Sequence, residues 1–291
     1  MNNILVTGAN GQLGNEIKKT TSAFKNFHFL FTDVEELDIT KPDNIQKFYL
    51  KNKFDYIINC AAYTNVDKAE TDKINADKIN AEAVKNLSEI SEKYKIPLIH
   101  ISTDYVFDGK SKIPYKESDY TNPQSVYGKT KLKGEKYVEN AYEGIIIRTS
   151  WLYSSFGNNF VKTMLRLGRE RNEINVVSDQ SGSPTYAADL AQTILEIIKQ
   201  KIENQEHNFS GIYHYSNEDS CTWYEFAKEI MQNANLKCKV NPVSSEEYPT
   251  PTKRPKYSLL DKTKIKKTFG VTVPFWKDSL QKCLILLSEN G

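Results

Sequence analysis

Along the first half of the chain, short apolar runs alternate with longer stretches of helical character, the pattern of a parallel sheet with crossover helices. ILVTG, FHFLFTD, FDYIINCAA, PLIHIST and GIIIRTSWLY read as strands. Between them, GQLGNEIKKTTSAF, KPDNIQKFYLKN, NAEAVKNLSEISEKY and GKTKLKGEKYVEN read as helices. Strands covered by helices on both sides need apolar residues on both faces, and IIN, LIHI and GIII are continuous rather than alternating. The pattern predicts an α/β fold with a Rossmann-type doubly wound parallel sheet. Beyond about residue 150 it loosens into a Gly/Asn loop (SSFGNN), a Pro-bearing turn (QSGSPTY) and the proline-rich YPTPTKRP. We expect a dinucleotide-binding domain over residues 1–150 and a smaller, partly interleaved substrate-binding region over 151–291. The interleaved part is about 175–216, where ADLAQTILEIIKQ and IYHYS suit a helix and a strand returning to the sheet.

Composition narrows the function classes. Hydrophobic residues make up 39% and charged residues 26%, and Lys plus Arg outnumber Asp plus Glu by only 39 to 37. With Lys spread among acids there is no basic face for a nucleic acid. No segment approaches the ~18 apolar residues that span a bilayer. The start, MNNILVTGANGQLG, lacks the basic flank and apolar core of a signal peptide, so a cytoplasmic protein is expected. Cys60, Cys221, Cys238 and Cys283 lie far apart and form no CxxC pair, which points to reduced structural thiols rather than zinc or disulfides.

The first candidate chemistry follows the first strand. Gly8, Gly11 and Gly14 of GANGQLG sit where a strand turns into a helix, the context of a phosphate-binding turn. Gly8 suits the tight turn, Gly11 a close backbone approach to a pyrophosphate, and Gly14 close helix–sheet packing. The helix start then offers free N–H groups and a positive dipole end to the phosphates. Asp33 ends the second strand, near the ~20-residue spacing at which a carboxylate meets an adenosine ribose. A carboxylate there favours NADH over NADPH, although nearby cations can still admit the second cofactor. The small side chains of Cys60, Ala61 and Ala62 leave room for a cofactor at a later strand end.

Tyr127 and Lys131 stand four apart in YGKTK, in a helix expected to begin after Pro123, and so share one helix face. A free tyrosine titrates at ~10, and a neighbouring ammonium favours its phenolate and brings it within range of proton transfer. Lys131 can also hold the nicotinamide ribose. Ser102, Thr103 and Asp104 fall at the carboxyl end of PLIHIS, the edge where open α/β sheets bind ligands, and a hydroxyl there can hold a carbonyl oxygen.

In this order, GxxGxxG, a strand-end hydroxyl and YxxxK resemble the extended short-chain dehydrogenase/reductase superfamily. NCAAYTNVDKAE, STDYVFDG, YGKTKLKGEK, RTSWLY, NNFVKTMLRL, DQSGSPT and YPTPTKRP extend the resemblance over nearly the full length, to its dTDP-4-dehydrorhamnose reductase family. The resemblance implies NAD(P)H-dependent reduction of the C4 carbonyl of dTDP-4-dehydro-β-L-rhamnose, a nucleotide sugar. It implies that Tyr127 donates the proton, Lys131 orients cofactor and tunes Tyr127, and Thr103 adjusts Tyr127 and contacts substrate. Asp104, Trp151 and Arg254 would touch the substrate. Asn10, Gly11, Gln12, Leu13, Asp33, Asp38, Ile39, Ala61, Ala62 and Tyr63 would join Gly8 and Gly14 at the cofactor. Some members carry a dimerisation-linked Mg²⁺, for which Glu16 is the one candidate ligand here, and a homodimer is implied with it.

Two other classes of reading stand beside this one. A nucleotide-sugar reductase or epimerase of the same superfamily would share the motifs; a dehydratase typically has Glu after the Thr-Asp pair, where this chain has Tyr105. A non-catalytic regulatory subunit, like that of methionine adenosyltransferase, would not need Thr103, Tyr127 and Lys131 together.

Overall fold

The computed structural model describes residues 2–204 and 206–289. Its centre is a six-stranded, all-parallel sheet. The strands are β1 (Asn2–Thr7), β2 (Phe27–Thr32), β3 (Tyr56–Asn59), β4 (Leu98–Thr103), β5 (Ile145–Thr149) and β6 (Gly211–His214), in the order β6-β5-β4-β3-β1-β2. The order reverses after β1, next to the place where the chain leaves it for α1 (Gln12–Thr20). That reversal opens a crevice beyond the carboxyl ends of the strands.

Both sheet faces are dry. Ile4, Val6, Ile58 and Ile147 pack on one side with α1 and with α6 (Ala187–Glu203). Leu5, Ile57, Leu98 and Ile146 pack on the other with α2 (Pro42–Asn52), α3 (Ala83–Tyr94) and α4 (Val126–Val138). The continuous apolar runs exist because neighbouring positions serve opposite layers. Each fully buried Ile or Leu contributes about 1.5–3 kcal/mol through burial, and Ile4, Leu5 and Val6 are wholly buried. α6 lies against α1, and β6 pairs with β5 from Gly211↔Ile145 to His214↔Arg148.

A second core lies outside the sheet. α5 (Phe160–Glu170), α7 (Trp223–Asn233) and α8 (Trp276–Glu289) close it around Met164, Phe226, Ile230, Trp276 and Leu280. A small parallel ribbon, Glu173–Val177 with Lys239–Val243, covers one edge.

Two predicted strands are shorter than the sequence pattern suggests. FDYIINCAA is extended only over Tyr56–Asn59, after which Cys60 to Thr64 form an open strand end. GIIIRTSWLY ends as a sheet strand at Thr149, and Trp151 takes a left-handed conformation, φ +48°. That turn stacks its indole on Trp223, with ring centroids 3.6 Å apart, instead of continuing the strand. The four cysteines are all free. Among the described residues no helix is long and apolar enough to cross a membrane.

Candidate active site

The crevice holds a cavity of about 760 Å³, lined from Thr7 at the end of β1 round to Asn159. At one end is the glycine turn. Gly8 has φ +65°, and a Cβ there would sit 2.6 Å from the Ala61 backbone nitrogen. Conformation and space both require glycine. A Cβ on Gly14 would lie 2.5 Å from the Gly8 carbonyl oxygen, so that glycine sets how closely α1 approaches the turn. Gly11 differs, because its nearest protein neighbour to such a Cβ would be 3.2 Å away and the residue lines the cavity. Nothing in the protein itself fills that place. A dinucleotide pyrophosphate pressed on the start of α1 fits it, as the donors there lack a side-chain cap.

Asp33 closes the turn. Its Oδ2 accepts the Asn10 amide at 3.0 Å and its Oδ1 the Val34 amide at 2.8 Å, which fixes the carboxylate at the cavity wall. Gln12, Leu13, Asp38, Ile39, Ala61 and Ala62 also line the cavity. The Thr40 hydroxyl and amide hold the Asp38 carboxyl below the usual range. Asn10 and Gly14 support the turn from outside the lining. Tyr63 is also outside it, with its phenol donating to Asp72 at 3.1 Å.

The other end carries side-chain chemistry on β4 and α4. Ser125 caps α4, accepting the Gly128 amide at 3.0 Å, so the helix starts two residues before Gly128 and presents Tyr127 in its first turn. Tyr127, Lys131 and Glu135 follow at four-residue intervals on one face. Glu135 is the anchor. It accepts Arg148 Nε at 2.9 Å and Nη2 at 2.7 Å, with both residues almost fully buried, and also accepts the Ser102 hydroxyl. The bidentate pair joins α4 to β5, while Arg148 rests 5.1 Å from the Phe107 ring.

Thr103, Asp104, Tyr127, Lys131 and Trp151 all line the same cavity. Burial raises the Tyr127 phenol well above its ordinary value, against the neighbouring Thr103 hydroxyl, which lowers it. From the sequence, the Lys131 ammonium is expected to favour the phenolate; in the structure burial is the largest influence on the phenol, and Lys131 Nζ donates to the Ile101 carbonyl at 2.6 Å. Burial likewise lowers Lys131 to about 8 and lifts Asp104 to about 6. Asp104 Oδ1 accepts the Thr103 hydroxyl at 2.9 Å, whereas Oδ2 is buried with no partner in hydrogen-bonding geometry. The Ser258 hydroxyl is near enough to lower the Asp104 pKa without completing that bond. A buried carboxylate oxygen of this kind lacks a hydrogen-bond donor.

Arg254 is not in the lining. Its guanidinium pairs with Asp67 at 2.9 Å and bears on Tyr105, which does line the cavity, so it braces the wall from behind. Glu16 is buried and accepts the Ser154 hydroxyl at 2.6 Å. No group of three or more His, Cys, Asp or Glu suited to a metal occurs among the described residues. Sequence reasoning passed over Glu135, His100 and Trp223. For Glu135 the signal was present as a third member of the four-residue series; Trp223, 72 positions beyond Trp151, had none.

Fold and site together define an oxidoreductase of the dinucleotide-binding, short-chain dehydrogenase/reductase type, with tyrosine and lysine facing a glycine turn. Within that class the chain belongs to the family described as RmlD substrate binding domain, whose model matches residues 1–288. It is 40% identical to a dTDP-4-dehydrorhamnose reductase of Aggregatibacter actinomycetemcomitans, over 97% of this chain and 98% of the relative. A crystal structure of a dTDP-4-dehydrorhamnose reductase from Clostridium acetobutylicum superposes with TM-score 0.92 at 44% identity, covering 98% of this chain and 99% of that one. One from Bacillus anthracis in complex with NADP does so with TM-score 0.92 at 41% identity, covering 98% and 100%.

Proposed function

We propose that the protein reduces the C4 keto group of dTDP-4-dehydro-β-L-rhamnose to dTDP-L-rhamnose with NADPH or NADH. The observation that carries this reading is the meeting of Thr103, Tyr127 and Lys131 with the open glycine turn around one cavity. NAD(P)H, when bound, supplies the hydride. Residues 1–150 would hold it, with Gly11 against the pyrophosphate and Asp33 at the adenosine ribose. Residues 151–291 would complete the sugar-nucleotide site through the Trp151–Trp223 stack.

Tyr127 acts as a proton donor. A phenol held protonated by burial delivers its proton to the oxygen of the reduced carbonyl as negative charge develops there. Thr103, whose hydroxyl donates to Asp104 in the empty enzyme, would turn that one proton to the same oxygen and share the charge. Lys131 stabilises the tyrosinate that remains, so turnover requires its ammonium form. Asp104 would accept a sugar hydroxyl through its unpartnered oxygen, which must first turn from its buried position into the cavity, and so help to orient the sugar.

The reading also takes the protein as cytoplasmic, which its free thiols support. Its partner is a small nucleotide sugar rather than a nucleic acid or a membrane. A homodimer follows from family resemblance alone and is tested by sedimentation. The central test is stoichiometry: keto-sugar added to enzyme and NAD(P)H should consume one cofactor per sugar. An unchanged cofactor absorbance, as an epimerase or a regulatory subunit would give, would sink the assignment.

A further inference from the structure

Beneath the reacting pair runs a buried chain of polar groups that the mechanism above does not use. His100 lies in the middle of β4 with no exposed surface, between Asn59 on β3 and Lys131 on α4. Asn59 Oδ1 accepts the Thr7 hydroxyl at 2.7 Å and the Ala61 backbone amide at 3.1 Å. A backbone amide can only donate, so this fixes which end of the Asn59 side chain is oxygen. Its amino group therefore faces His100 Nδ1, 3.0 Å away. Nδ1 must accept, and the single proton of a neutral imidazole is left on Nε2.

Lys131 Nζ lies 3.2 Å from that Nε2. An Nε2–H aimed at an amine makes a hydrogen bond, with the lysine nitrogen accepting while it donates to the Ile101 carbonyl. The same N–H aimed at an ammonium sets donor against donor. We propose that His100 is a positioning residue that sorts Lys131 by its protonation state, holding the amine back against β4 and turning the ammonium toward Tyr127 and the cavity.

The groups that face this pair are few. Glu135 from α4 favours the ammonium, Cys60 just after β3 is kept a neutral thiol by burial, and burial opposes the ammonium more strongly than Glu135 supports it, leaving Lys131 at about 8. Burial and the lysine together keep His100 far below its ordinary value, hence neutral. Thr7 and Asn59 carry no charge but lock the tautomer. Lys131 thus changes position where it changes charge, at about pH 8.

This inference rests on Tyr127 and Lys131 being the reacting pair, so its test has an arm that needs no turnover. The protein has four histidines, and ¹⁵N-histidine NMR of the intact chain should show His100 with Nδ1 bare and Nε2 protonated from about pH 6 to about pH 9. An Nδ1–H tautomer, or an imidazolium at neutral pH, overturns the proposal whatever the enzyme's substrate is. The second arm is His100→Gln, which reaches the Nε2 position with a carbonyl oxygen that welcomes an ammonium. Its alkaline loss of kcat should move up by about one pH unit, a tenfold change in proton affinity. A variant slowed uniformly with that limb unmoved would leave His100 a merely structural residue and overturn the proposal; should the variant fail to fold, the spectrum decides alone.

Discussion

The two ends of the cavity are built from different materials. The cofactor end is backbone: a positive φ at Gly8, a missing side chain at Gly11 and uncapped amides at the start of α1. The chemical end is side chains on α4, each held by a buried partner from another strand, through Glu135–Arg148 and Lys131–His100–Asn59. Backbone sites are set by local sequence, whereas the side-chain site depends on contacts between distant segments. Damage to the first should weaken cofactor binding and leave chemistry intact; damage to the second should do the reverse.

The largest effect expected is at Tyr127. Tyr127→Phe keeps the ring and its edge contact with Tyr105, 5.5 Å between centroids, and removes only the proton donor. Turnover should fall by about 10²–10⁴-fold, while NAD(P)H titration gives nearly the wild-type affinity. A variant with most of its activity left would dissolve the division between the two ends, since the phenol would then not be the donor.

Next comes the support of that end. Glu135→Gln leaves the Arg148 guanidinium buried without its counter-charge and should cost about 3–5 kcal/mol. Chemical denaturation measures this directly. The surface pair Arg166–Glu170 is the control, as its loss should cost under about 1 kcal/mol. Equal losses at the two sites would show that α4 is not held by its buried pair.

How much of this was legible in the sequence follows the same division. The glycine spacing and Asp33 marked one end of the cavity because a turn and a strand end are local features. Tyr127 and Lys131 were legible because one helix carries both. Their environment was not: the expectation that Lys131 would favour the phenolate needed the position of Nζ, which depends on Ile101 and His100, about thirty residues upstream. The strand GIIIRTSWLY was overextended for a similar reason. Its apolar run continues to Tyr153, and only Trp223, far along the chain, shows why Trp151 turns away. Apolar period reports layers; it does not report which polar groups meet between them.

Gly11→Ala sharpens the comparison from the backbone side. Its new methyl would meet the Gly8 carbonyl at 3.2 Å and otherwise the open cavity, so the stability loss should stay at about 1 kcal/mol, the cost of alanine at the α1 N-cap. NAD(P)H affinity should drop by about tenfold or more, near 1.4 kcal/mol, with kcat at saturating cofactor retained. Gly8→Ala, by contrast, places its Cβ 2.6 Å from Ala61 and forces φ +65° on alanine, so it should lose about 1–2 kcal/mol of stability or more as well as cofactor. If both variants behaved alike, the place at Gly11 would be shaped for folding rather than for a ligand.

The smallest effect tests the unpartnered oxygen of Asp104. Burial lifts this carboxyl to about 6 from an ordinary 3.8. The charged form is therefore penalised in the folded chain, and between about pH 4 and pH 6 the native state holds a proton that the unfolded chain has released. Stability of the empty enzyme should fall as pH rises through that window, and Asp104→Asn should remove the slope. Substrate reverses the preference, since a sugar hydroxyl donating to Oδ2 is best received by the carboxylate. KM for the keto-sugar should then rise about fivefold as pH drops below about 6, with kcat less affected, a change near 1 kcal/mol. In Asp104→Asn the KM should be higher at neutral pH and nearly flat with acidity. A KM that ignores pH in the wild type would mean that Oδ2 meets no substrate group, and the sugar's orientation would rest on the Trp151 face alone.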